Sequence, residues 1–192
     1  CIRDSHFTHQ SINIQTKSNN KLTENTQVSL FSIQHLENNA ADHWDPILFN
    51  NTMGITNMAG DILYNNTYYF PAGEQLDFFA IHPFISSSNT GSEYNGTQST
   101  TITLKDNATN QCDLMYASLL NQSKKSSVLV FEFHHLLTQI TVNIIKNTGV
   151  TIDLPLTNIQ VVAPQSATLD IWNGQLSDIA GQTTYTLSLI HI

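Results

Sequence analysis

An all-β sandwich is the fold class this sequence predicts, and three observations carry it. Short runs of alternating apolar and polar residues recur about every 8–15 residues. Clusters of Asn, Gly, Ser and Pro separate them, as turns between strands require. No segment holds a helical period, a heptad or an internal repeat.

Taken in order, residues 1–10 (CIRDSHFTHQ) are polar and read as a tether. SINIQT at 11–16 sets Ile12 and Ile14 against polar neighbours at period two, a short strand. Residues 17–25 form an Asn-rich loop. QVSLFSI at 27–33 is a strand with Val28, Leu30 and Ser32 on one face. Residues 34–61 read as long and irregular. ILYNNTYYF at 62–70 predicts a hairpin around Asn65-Asn66, and LDFFAIHPF at 76–84 a strand stopped near Pro83. TTITL at 100–104 and VLVFEF at 128–133 follow as strands, with CDLMYA at 112–117 a short apolar stretch and NQSKKS at 121–126 a turn. NIQVVAP at 158–164 and ATLDIW at 167–172 precede Asn173-Gly174, a tight-turn signal. TTYTLSLIHI alternates up to residue 192, so the chain is expected to stop inside a strand. The resulting division is a tether over 1–10, a sandwich domain over 11–175, and the start of a second, truncated β domain over 176–192.

Composition narrows the function. The net charge of −8 comes from 7 basic and 15 acidic residues, and the densest basic pair is Lys124-Lys125. Nucleic-acid binding through phosphates is therefore not expected. Charged residues make up 11% of the chain, with Asn, Ser, Thr and Gln filling the surface instead, a lean toward secreted and surface proteins. No segment approaches the about 18 apolar residues of a membrane span. Cys1 opens the chain as the acylated cysteine opens a mature bacterial lipoprotein; the plainer alternative is an arbitrary fragment boundary. Cys112 reads as a small buried thiol or as the partner of Cys1 in a disulfide.

The stretch FEFHHLLTQITVNI at 131–144 raises the question of an enzyme. Phe131 and Phe133 place odd positions inward, whereas Ile140, Val142 and Ile144 place even positions inward. A strand cannot change phase without an extra residue or a break, so a bulge or crossing is expected at 134–137. One histidine then faces the core edge, bonded to backbone groups, and the other faces solvent. Adjacent strand residues point to opposite faces, so His134 and His135 do not suit one ion. The other histidines, at 6, 9, 35, 43, 82 and 191, lack HExxH or CxxC partners. No GxSxG elbow or Gly-rich phosphate loop occurs. Asp42 to Asp45 (DHWD) is the best carboxylate cluster. It reads either as a sugar or ion site or as a turn with Trp44 packed on the sandwich edge. No catalysis, no metal and no cofactor are expected. Phe133 is expected to anchor a core strand, at a cost of about 3–5 kcal/mol on truncation to Ala.

Four stretches in order resemble the fimbrillin (Mfa-like, FimA-like) family of Bacteroidales, the subunits of type V pili. YYFPAGEQLDFFAIHPF at 68–84 is similar to the family's turn and "LDFYAYYP" signature, and CDLMYA to its "DLLYA" element. FEFHHLLTQITVNI is similar to its "F-x-F-x-H-x-L-x-x-I-x-V" strand. Phe131 and Phe133 fill that motif with His135 and Leu137, or with His134 and Leu136; the doubled HHLL leaves the register open. LTNIQVVAPQSATLDIWNGQL at 156–176 resembles the segment that follows, with its first Gly replaced near Ser166-Ala167.

The resemblance implies two transthyretin-like β-sandwich domains, export as a lipoprotein anchored through Cys1, and assembly into fimbriae at the outer membrane surface. Membrane contact is then through the anchor alone. It further implies a removable first strand, here carrying Ile12 and Ile14, and a processing loop, here with Lys17 and Lys21. A strand from a neighbouring pilin subunit replaces the first one. The best-known members are cut after Arg, and this loop has only Lys, so either another protease acts or the subunit keeps its strand. The expected role is structural and adhesive, with other pilins, and host or bacterial surface ligands, as partners. The rival is a glycan-binding surface lipoprotein stacking sugars on Trp44 and Tyr94. A weaker rival is a zinc enzyme using His134 or His135.

Overall fold

The computed structural model describes residues 9–15, 22–37, 39–65, 68–71, 73–106, 111–123, 129–145 and 158–188, with 9–15, 139–145, 158 and 187–188 as backbone alone. Their strands are β1 (His9–Gln15), β2 (Gln27–Leu36), β3 (Thr52–Thr56), β4 (Ile62–Leu63), β5 (Glu74–His82), β6 (Ser99–Thr103), β7 (Met115–Gln122), β8 (His134–His135), β9 (Gln139–Ile145), β10 (Asn158–Asp170) and β11 (Leu176–Ser188). A single helical turn, α1 (Ser87–Thr90), ends at Gly91, whose φ of 77° favours a residue without a Cβ.

The strands form three antiparallel sheets. The largest runs β4-β3-β2-β5-β7-β8, the second β11-β10-β6, and the third pairs β1 with β9. The chain is thus all-β, and the first two sheets face each other as a sandwich. Phe31, Ile33, Phe79 and Ile81 of the large sheet meet Ile102, Leu169 and Ile171 of the second, all buried. Each such side chain, taken fully out of water, contributes about 1.5–3 kcal/mol.

The large sheet is apolar on its other face as well. Val28, Leu30, Leu76, Phe78, Ala80 and Ala117 form a second buried cluster there with Phe49 from a loop. Val28, Leu30 and Ser32 do share a face, as the alternation predicts. Phe31 and Ile33 bury the opposite face, so the strand is apolar on both sides. Two buried serines tolerate this through hydrogen bonds. Ser32 Oγ donates to the Ile47 carbonyl and accepts from Phe49 N–H, and Ser29 Oγ accepts from Ile85 N–H at 2.7 Å.

Residues 34–61 contain β3, which the reading missed because Gly54 interrupts its pattern. A Cβ at Gly54 would lie 2.4 Å from Ile62 Cγ2, so the close approach of β4 requires glycine. The hairpin expected over 62–70 is absent among the described residues: β4 pairs back with β3 instead, and Tyr68 to Phe70 join no ladder. The tether expected over 1–10 gives way to strand at His9. β7 runs through Asn121 and Gln122, where a turn was expected. Residues 129–133 join no ladder among the described residues, contrary to the strand expected at 128–133.

The phase change at 134–137 has its explanation in a change of sheet. β8 pairs with Met115 and Tyr116 at the edge of the large sheet, and β9 then pairs with β1 elsewhere. The Asn173-Gly174 turn is present. Gly174 has φ 72°, and a Cβ there would lie 2.5 Å from the Tyr116 ring. The expected boundary after residue 175 falls at the turn of the β10–β11 hairpin, whose two arms are hydrogen-bonded from Leu169–Leu176 out to Asn158–Ser188.

Candidate functional site

The second apolar cluster does not close over. Between its covering segments lies an open groove of about 870 Å³. Its floor is Leu30, Leu76 and Phe78, supplied by the outward-facing positions of β2 and β5. One wall is Ile62, Tyr64 and Tyr68 to Phe70; the other is Leu129 to Phe133.

Aromatic packing holds the first wall in place. The Phe49 ring packs at a tilt against Tyr68 at 4.5 Å and meets Tyr64 edge-on at 5.0 Å. Phe78 contacts Phe49 at 6.0 Å and Phe70 at 6.1 Å, edge to face in both cases. A turn locks the groove's end: Asn57 Nδ2 donates to Asp61 Oδ2 at 3.0 Å, and Asp61 N–H donates to Asn57 Oδ1 at 2.9 Å. Tyr69 and Val130 stand at the lip, 80% and 64% exposed. The charged side chains of the lining are Asp61 and Glu132, both acidic. An apolar floor with a polar rim is the anatomy of a surface that receives an apolar partner.

The second feature is β1. It pairs with β9 through all seven residues, Ile12 opposite Val142 and Ile14 opposite Ile140. Among the described residues β9 is its one ladder partner, so β1 is an edge strand. Cys1, Lys17 and Lys21 lie outside the described residues.

The motif residues separate. Phe131 and Phe133, 6.2 Å apart, are half-buried on the groove wall rather than in a strand of the core. Leu136 and Leu137 pack against the inner core instead. His134 is exposed. The His135 ring is buried with Nδ1 against the Asp113 carboxylate, a carboxylate partner where backbone partners were expected. Among the described residues no group of three or more His, Cys, Asp or Glu is placed to hold a metal.

Trp44 and Tyr94 do not form an exposed platform. Trp44 Nε1–H donates to Tyr94 Oη at 3.0 Å, both rings pack on Phe31, and both residues are half-buried. Burial raises the Tyr94 hydroxyl above its ordinary pKa. Asp42 and Asp45 are exposed; hydrogen bonding to His43 holds the Asp42 carboxyl below its usual value. The DHWD stretch bends at His43, and Trp44 packs against the inner core. Cys112 is exposed rather than buried.

The groove aromatics are the site residues that sequence reasoning missed. The signal lay in adjacent apolar pairs, Leu30-Phe31 and Phe78-Phe79, which cannot share one face of a strand.

A family model described as fimbrillin-like matches residues 16–190. No curated protein and no solved structure matches the chain.

Proposed function

The chain belongs to the fimbrillin-like family, and from that premise we propose that it is a subunit of a cell-surface fimbria that assembles by accepting an extended strand from a neighbouring subunit. The family is one of structural pilins rather than enzymes. Among the described residues, no helix is long and apolar enough to cross a membrane.

The observation that carries the reading is the open apolar groove on the outer face of the large sheet. A strand laid in it puts every second side chain onto Leu30, Leu76 and Phe78 and leaves the others to solvent. The edge position of β1 supports the exchange step. Among the described residues one ladder, with β9, holds it, so its release breaks that ladder alone. Cleavage in 17–25, at Lys17 or Lys21, would release Ile12 and Ile14 with the strand. Lipoprotein export, as the resemblance implies, would place acyl chains on Cys1.

N-terminal sequencing of subunits sheared from the cell surface as assembled fimbriae tests the exchange. Chains beginning within 17–25 are expected. Assembled chains that retain residues 11–16 would show that β1 stays and that exchange does not occur.

A further inference from the structure

We propose that residues 129–133 are a two-position strap: they line the groove in one position and zip onto the free edge of β7 in the other, lengthening β8 from two residues to seven.

The register already in place fixes where the strap goes. β7 and β8 pair Met115 with His135 and Tyr116 with His134, and Leu136 N–H donates to the Leu114 carbonyl at 2.8 Å. Continuing that antiparallel register sets Ala117 opposite Phe133, Ser118 opposite Glu132, Leu119 opposite Phe131 and Leu120 opposite Val130. Hydrogen-bonded pairs alternate along such a ladder. Because 114 and 136 are bonded, 116–134, 118–132 and 120–130 are the bonded pairs, and 117–133 and 119–131 the closer, non-bonded ones.

Both sides are prepared for this pairing. Ala117, Leu119, Leu129, Phe131 and Phe133 all belong to the outer apolar cluster, so the strap needs no rotation to bring its side chains to the correct face. Val130 and Glu132, between them, are exposed at the groove's lip. The main chain is what remains unpaired. Among the described residues, Ser118, Leu119 and Gln122 have ladder partners only on the β5 side, and Leu120 and Asn121 fall in the irregularity of that ladder. Asn121 N–H, which faces that side, donates to Asp77 Oδ1. The Leu120 carbonyl, which faces the strap, accepts from the Gln122 side-chain amide in place of a strand. Five residues with the alternation of a strand thus lie beside an open edge in matching register and face.

The strap's position sets the groove's width. In its present position it lines the groove together with Tyr64, Tyr68 and Phe70. Zipped, it moves into the plane of the sheet beside β7, away from those residues, and the groove opens. The strap is thus a gate for the strand that the groove is read as accepting. This purpose rests on the proposed function. The motion is tested without any strand, so the two readings fail separately.

The test is disulfide trapping in a chain with Cys1→Ser and Cys112→Ser. Leu119→Cys with Phe131→Cys creates a non-bonded cross-strand pair at disulfide distance in the zipped register. Leu119→Cys with Val130→Cys places the second thiol on the opposite face as a control. Loss of both free thiols under a glutathione redox buffer is expected in the first chain, and retention of both in the second. Oxidation of the first is also expected to raise its binding of 1-anilinonaphthalene-8-sulfonate over the reduced chain. Equal thiol loss in both chains, or in neither, overturns the register; unchanged dye binding overturns the gate. Ala117→Cys with Phe133→Cys provides the same readout if the first pair does not fold.

Discussion

Asp77 ties three strands together through one oxygen. Its Oδ1 accepts from His35 Nε2–H of β2 at 3.1 Å and from Asn121 N–H of β7 at 2.7 Å, beside the irregularity in β5–β7 pairing at Leu76/Phe78. The His35 and Asp77 side chains are 4% and 8% exposed, so neither can turn to water instead. Asp77→Ala is expected to cost about 3–5 kcal/mol, the loss typical of a broken buried pair, read as a drop in denaturant midpoint. Gly174→Ala is expected to destabilise by more than about 1 kcal/mol, from positive φ and a clash with Tyr116 together. Tyr116 itself gives a pH signature. Burial pushes its hydroxyl up to about 12, and Oη–H donates to the Trp172 carbonyl at 2.7 Å. A raised pKa means the folded state keeps a proton that the unfolded state has lost. Stability is then intact below the ordinary value of 10.0 and falls as pH rises from there to about 12. Tyr116→Phe is expected to flatten that fall in a pH series of urea melts. Of these residues only the Asn173-Gly174 turn was legible in the sequence. The partners of Asp77 lie 42 and 44 positions away, a separation no local pattern encodes.

At the scale of elements, the two faces of the large sheet are not equivalent. Phe79, fully buried between the sheets, and Phe133, half-buried on the groove wall, differ in what they lose on truncation. Phe79→Ala is expected to cost about 3–5 kcal/mol, and Phe133→Ala about half of that, because water already reaches it. Equal losses in thermal unfolding would contradict the assignment of 129–133 to the wall of a groove. β2, β5 and β6 were legible from alternation and β-branched or aromatic runs, and the phase change at 134–137 was legible as a break. VLVFEF was read as a strand because its local pattern is one; its place is decided by what lies beside β7, which sequence does not show. The groove escaped for a related reason. A face that is apolar but uncovered has the same alternation as a face in the core.

For the whole molecule, membership of the fimbrillin-like family and the shape of the large sheet point the same way. A sandwich closed on one side by a second sheet keeps an apolar trough on the other. Its acidic lip, Asp61 and Glu132, favours an incoming strand flanked by basic residues. The most direct measurement replaces Val130, at the lip, with a photo-crosslinking benzoylphenylalanine in cells that assemble the fimbria, followed by mass spectrometry of the crosslinked peptides. Val130 is expected to be joined to a segment of a second pilin subunit. Crosslinks confined to residues of the same chain in assembled fimbriae would contradict it, leaving the groove as an internal feature of the subunit.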